Sequence, residues 1–142
     1  MPYRDRIEVV FDAGHRLLNY VGKCASPHGH TFRAEIILEG ETLNALGLLV
    51  DFSDIKRDVK QWIDSRWDHG FLLNAADRLL IDALSAVPEA KIYLFEGRNP
   101  SAEAMAHELH CVIHAAIPGF EVTVRVWEST TQYAEYREGG DR

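Results

Sequence analysis

His28 and His30 flank a single glycine, and His15 lies thirteen residues before the first of them. In an extended chain, His28 and His30 project from one face, roughly 6.6 Å apart along the strand. Their parity is that of Phe32, Ala34 and Ile36, so they open an apolar row; His15 closes the row Val9, Phe11, Ala13 in the same way. Antiparallel pairing of the two segments brings the three imidazoles to one point. Three neutral imidazoles with a free fourth position are the ligand set of a catalytic zinc, although iron or another divalent metal is also compatible. The competing reading is three separately hydrogen-bonded histidines at strand ends.

Other residues could join such a site. Cys24 lies between the two segments, and beside a dication its thiolate is favoured, making it a base or nucleophile. It could equally be a fourth ligand or a small loop residue. In Asp68-His69 the carboxylate can orient the imidazole and raise its basicity, unless the pair is a surface turn. Glu128 continues the inward row Val122, Val124, Val126, where an acid is costly to bury without donors. It suits a ligand presenting two coplanar N–H groups. A strand-end acid turning to solvent is the alternative. His107, His110 and His114 share a helix face, but Cys111 stands where a zinc-protease glutamate is required, so the expectation is a polar face with Cys111 packed in the core.

The elements that must position these residues follow from periodicity. Alternation over Ile7–Ala13 and again over His30–Leu38 marks two strands. From Asp51 the period becomes helical through Phe52, Ile55, Val59, Trp62 and Ile63, with Asp51 or Ser53 as cap. An irregular stretch from Ser65 to about Asn74 precedes a short helix near Ala76–Ala86, and Lys91–Phe95 reads as a strand. Asn99-Pro100-Ser101 starts a second main helix, with Pro100 at or near its first position. That helix ends at Pro118-Gly119, and Phe120–Glu128 is the last clear strand, with Tyr133–Arg137 as a possible edge. The expected architecture is α+β, two main helices on one face of an antiparallel sheet, in a single domain spanning 1–142 with a disordered tail over 138–142.

Composition sets bounds. The chain has 142 residues, 46% hydrophobic and 26% charged, the balance of a soluble globular domain. Lys plus Arg number 15 against 22 for Asp plus Glu, a formal charge of −7 that disfavours nucleic-acid binding. No apolar run approaches the ~20 residues of a membrane helix, and MPYRDRIEVV lacks a signal-peptide core. Two cysteines are too few for a secreted disulfide scaffold. The expectation is a cytoplasmic protein without nucleic-acid or membrane partners.

Taken together, Phe11-Asp-Ala-Gly-His15, Cys24-Ala-Ser-Pro-His28-Gly-His30, Val50-Asp-Phe52, Asp68-His69, Pro100-Ser-Ala-Glu103 and Glu128 resemble the 6-pyruvoyl-tetrahydropterin synthase family. That family includes the 6-carboxy-tetrahydropterin synthases of queuosine and other 7-deazaguanine biosynthesis. The resemblance runs from about Ile7 to Arg137. It implies a tunnelling fold whose sheets close into a barrel between subunits, commonly a hexamer of two trimers with active sites at interfaces. It also implies Zn2+ on His15, His28 and His30, catalysis by Cys24, Asp68 and His69, and a pterin anchored by Glu128. Ser101 and Glu103 fall in the family's Pro-Thr-x-Glu motif and are expected at the substrate.

The implied substrate is 7,8-dihydroneopterin triphosphate. The three-residue gap between Cys24 and His28 resembles the carboxy-forming branch, which releases acetaldehyde and triphosphate; the pyruvoyl branch only eliminates triphosphate. Trp67 for Leu, Ser101 for Thr, and one extra residue in Asp68–Asn74 depart from the family pattern and bear on product choice. Arg16 and Lys23 are placed by charge and position to meet the triphosphate. A zinc- or pterin-binding protein without turnover, or a zinc hydrolase, is the alternative of another class, and retention of Cys24, Asp68 and His69 argues against binding alone.

Overall fold

The computed structural model describes residues 2–138. Its first two strands, β1 (Tyr3–His15) and β2 (His28–Gly40), pair antiparallel along their whole length, from Tyr3 opposite Gly40 to His15 opposite His28. Alternation decides what each face does. Ile7, Val9, Phe11 and Ala13 of β1 face the core with Phe32, Ala34, Ile36 and Leu38 of β2. Helix α1 (Phe52–Arg66) starts where the Asp51 carboxylate accepts the Ser53 N–H at 2.9 Å, and it buries Ile55, Val59 and Ile63. After it come β3 (Gly70–Asn74), α2 (Arg78–Ser85), β4 (Ile92–Phe95), α3 (Ala102–Ala116), β5 (Glu121–Trp127) and β6 (Tyr133–Arg137).

The sheet order is β4-β3-β1-β2-β5-β6. One continuous core joins the inward rows of β1, β2 and β5 to Ile55, Val59 and Ile63 of α1 and to Met105, Leu109 and Ile113 of α3. The opposite face is charged: Glu35 is buried there beneath Arg6, Arg125 and the Trp127 indole, which all reach its carboxylate. Arg33 lies 4.2 Å over the Trp127 ring.

The structure corrects several sequence expectations. The sheet is mixed rather than antiparallel, because β3 pairs in parallel with both β1 and β4. Strand β3 lies in the stretch read as irregular. Leu72 and Leu73 are consecutive and both fully buried, so this strand shows no alternation to read. Pro100 precedes the α3 cap: Ser101 is the N-cap, and its hydroxyl accepts the Ala104 N–H at 3.1 Å. Cys111 is exposed, because the buried stripe of α3 runs through Met105, Leu109 and Ile113, leaving position 111 on the far side. His110 instead turns inward and is buried, so the three histidines of α3 do not form one solvent face. Beyond Glu138, the expected tail lies outside the described residues.

Arg16 is engaged within the fold. Its guanidinium grips the Asp77 carboxylate through Nε and Nη2, and Asp77 is 2% exposed. This fork holds the segment after β1 against the start of α2. The Arg16 hydrogen bonds keep the Asp77 carboxyl below its ordinary range despite burial. The associated stability is therefore complete above the unfolded pKa of about 3.9 and is lost as pH falls through the lower folded value. Arg16→Ala, which strands a buried carboxylate, should cost about 3–5 kcal/mol at neutral pH in urea denaturation. A cost near zero would show that the pair contributes nothing.

Candidate metal centre

The β1–β2 register places His15 directly opposite His28, with His30 opposite Ala13 two residues along. All three rings lie on the core side, separated centroid to centroid by 4.7 Å (His15–His28), 5.2 Å (His15–His30) and 4.9 Å (His28–His30). The ligand-capable atoms of the three rings lie within 4.8 Å of one another. His15 is buried, and its Nδ1 is 2.7 Å from the Pro100 carbonyl; the Nδ1 of His28 is 2.7 Å from the Ser26 carbonyl. A carbonyl only accepts, so each Nδ1 carries the proton and each Nε2 keeps its lone pair. The buried Nε2 atoms of His15 and His30 have no hydrogen-bond partner. Unpaired buried nitrogens are costly. A metal ion would satisfy them, and the carbonyl contacts are outer supports of the kind ligating histidines have.

Burial depresses the pKa of His15, against the opposing pull of the Pro100 carbonyl, and also lowers that of His30. Both imidazoles therefore stay neutral, as metal ligands must be.

Of the remaining candidates, Glu128 meets this cluster directly. Glu128, just beyond β5, brings Oε1 to 4.0 Å from His15 Nε2. It lines a recess of about 160 Å³ with Ala102, Glu103 and Tyr133, so both acids named from the sequence face one cavity. Ser101 sits at the adjoining helix start, its hydroxyl occupied as the cap of α3.

The Asp68-His69 pair is rigidly built. His69 has φ 58°, a left-handed conformation uncommon for a residue with a Cβ. It is held there because its N–H donates to the Asp12 carbonyl at 2.7 Å while Asp68 Oδ1 accepts the Asp12 N–H at 3.0 Å. Asp68 Oδ2 lies 2.8 Å from His69 Nδ1, which fixes the tautomer and leaves Nε2 outward. Burial would raise the Asp68 pKa, but the Asp12 N–H and His69 outweigh it and keep the carboxylate ionised. The His69 side chain is 77% exposed. A groove of about 550 Å³ connects it to His28, His30 and Phe71. Gly14 lets the Phe71 ring lie close over the strand, since a Cβ there would stand 2.6 Å from the ring and push it aside.

Cys24 is half-buried in a 3-10 turn, Lys23–Ala25, and lies outside the histidine cluster. Its carbonyl accepts the Leu17 N–H at 2.8 Å. Asn99 pins the same loop, accepting from Leu18 N at 2.9 Å and donating to Leu18 O at 3.1 Å. Asn74 of β3 braces Asn99 in turn at 3.0 Å. Sequence reasoning read Asn99 and Pro100 only as a helix start and gave Ser26 no role at the site: Pro100 and Ser26 act through backbone carbonyls, which leave no mark on residue type, and the Asn99 side chain meets a partner 81 residues away.

The model of the 6-pyruvoyl tetrahydropterin synthase family matches residues 6–139. The chain belongs to that family. Similar curated proteins carry the name 6-carboxy-5,6,7,8-tetrahydropterin synthase. The one from Rickettsia felis is 38% identical over 104 residues, covering 73% of each chain. That from Rickettsia bellii is 31% identical over 134 residues, covering 92% of this chain and 95% of its own. Among solved structures, an uncharacterized protein from Wolinella succinogenes superimposes with a TM-score of 0.81 at 20% identity, covering 96% and 98%. Plasmodium falciparum 6-pyruvoyl tetrahydropterin synthase gives 0.71 at 18% identity, covering 95% and 98%. These likenesses identify the fold as that of the family, whose members are lyase-type enzymes. Among the described residues, no helix is long and apolar enough to cross a membrane.

In the metal-free protein, histidine NMR titration should give midpoints below 6.5 for His15 and His30. Midpoints at or above that value would mean the rings are more hydrated than this packing allows.

Proposed function

We propose that the protein is a 6-carboxy-5,6,7,8-tetrahydropterin synthase. It converts 7,8-dihydroneopterin triphosphate to 6-carboxy-tetrahydropterin, acetaldehyde and triphosphate, serving 7-deazaguanine (queuosine) biosynthesis in the cytoplasm. The observation that carries this is the unpartnered pair of buried histidine nitrogens opening beside Glu128, in a chain whose curated relatives bear the carboxy-synthase name.

His15, His28 and His30 would hold Zn2+, which when bound supplies Lewis-acid polarisation of the substrate's side-chain oxygens. Glu128 accepts the paired N–H donors of the pterin's amino-pyrimidinone edge, and its 4.0 Å approach to His15 sets the ring beside the cluster. Glu103 shares that recess and closes the pterin's side. Ser101 acts through the start of α3, which its cap holds in place. Cys24, as thiolate, takes a proton from the side chain. His69 moves a second proton through Nε2, because Asp68 occupies Nδ1. Its exposure suits a site completed between subunits, as in a hexamer of two trimers.

The 6-pyruvoyl product is the second reading. It is favoured by the lengthened segment Asp68–Asn74, which places β3 and Phe71 along the groove wall. Product analysis with the Zn2+-loaded protein separates the two: acetaldehyde in proportion to a 6-carboxy pterin supports the proposal, and a 6-pyruvoyl pterin without acetaldehyde overturns it.

Cys24→Ala should retain metal and pterin affinity while losing turnover by about 10²- to 10⁴-fold, the usual yield of acid–base catalysis. Full activity would remove the assigned role. Glu128→Gln should weaken pterin binding by about 10- to 150-fold, the loss expected for a charge-assisted hydrogen bond of about 1.5–3 kcal/mol. Unchanged affinity in calorimetry would exclude it as the anchor. Chelation should abolish turnover, and an active metal-free protein would refute the metal's part.

A further inference from the structure

A second cluster of metal-ligating side chains lies on α3, outside the site described above. His110 and His114 are one helical turn apart, their rings nearly parallel at 11° with centroids 5.6 Å apart. Spacing of i, i+4 puts both side chains on one face of the helix. Glu138 follows β6, and its Oε2 comes within 3.7 Å of His114 Nε2. The three residues each offer one donor atom, all within 4.8 Å of one another.

His110 distinguishes this group from an ordinary surface cluster. The residue is 4% exposed, and its buried Nε2 has no hydrogen-bond partner. The recess onto which it opens, about 280 Å³, is lined by His114, Phe120 and Glu138 as well. The unpartnered buried imidazole of His110 thus faces a second imidazole and a carboxylate, and a cation shared among the three would satisfy it.

The geometry points to a second metal site, in which His110, His114 and Glu138 bind a divalent transition ion such as Zn2+. Two imidazoles and one carboxylate are a borderline donor set that suits Zn2+ over Mg2+ or Ca2+. Helix α3 supplies two ligands and the end of β6 the third, so the ion ties that strand to the helix. Its effect is structural: it stabilises the folded chain by binding only when both elements are in place. The site does not depend on the chemistry proposed for the His15 cluster.

Zn2+ titration of the full chain by isothermal calorimetry tests this, with free Zn2+ set above the dissociation constant. Wild type should take two equivalents and His114→Ala one, with the remaining equivalent reporting that the variant is folded. Glu138→Gln should weaken one equivalent by at least about 100-fold, the upper end of what losing even an outer partner of a ligand costs, because it removes a charged direct ligand. Excess Zn2+ should raise the Tm of a variant lacking His28 and His30, and adding His114→Ala should cancel that rise. A single wild-type equivalent that vanishes in His114→Ala would support this site and refute metal binding at His15, His28 and His30. A single equivalent that survives His114→Ala overturns the second site, as do two equivalents unchanged by it. Cys111 Sγ lies 3.6 Å from His107 Nε2 on the adjoining face. Loss of the second equivalent in Cys111→Ser, with His114→Ala unaffected, would assign the ion to that pair and overturn the proposal.

Discussion

The molecule depends on one pairing register. Strands β1 and β2 are matched over thirteen residues, and the match that sets Phe11 against Phe32 also sets His15 against His28. Side chains alternate with a period of two, so a slip of one residue would turn an apolar row to solvent and scatter the imidazoles onto opposite faces. The register is fixed by the burial of Ile7, Val9, Phe11, Phe32, Ala34 and Ile36, far more surface than three histidines could bury. The core thus enforces the geometry of the site. The rings lie at the end of the apolar rows because that is where the core opens and polar atoms can meet a ligand.

What surrounds the cluster works by fixing hydrogens. The Pro100 and Ser26 carbonyls hold Nδ1–H of two rings, and Asp68 holds that of His69. Each selects one tautomer and so fixes which nitrogen is left free. The buried charges away from the site are handled differently. Glu35 is held by Arg6, Arg125 and the Trp127 indole and Asp77 by the fork of Arg16, so neither is left as an unpaired ion.

Much of this was legible in the sequence, for a physical reason. Alternation in β1 and β2 is long and one face is buried, so parity alone told which side the histidines take. Asp51 as a cap and the edge strand at Tyr133–Arg137 followed from equally local signals. Strand β3 did not, because it is five residues long and buried on both sides. Cys111 misled because neighbours in sequence are not neighbours on a helix: Val112 and Ile113 are apolar, yet the stripe passes position 111 by. Arg16 was assigned by proximity to the site, while its partner Asp77 lies 61 residues away. Long-range pairs of this kind leave no local pattern.

One dipeptide joins parts of the molecule that chain distance keeps apart. Asn99 fixes Leu18 in the Cys24 loop, and the next residue, Pro100, lends its carbonyl to the His15 ring. Thiol loop and imidazole are thus mounted on a common fulcrum at the threshold of α3, itself propped by Asn74. A displacement of that fulcrum carries both together, so their relative placement tolerates drift that would misalign two independently mounted groups. Changes at the helix start can therefore reshape the recess as a unit while keeping the thiol loop and the imidazole in step.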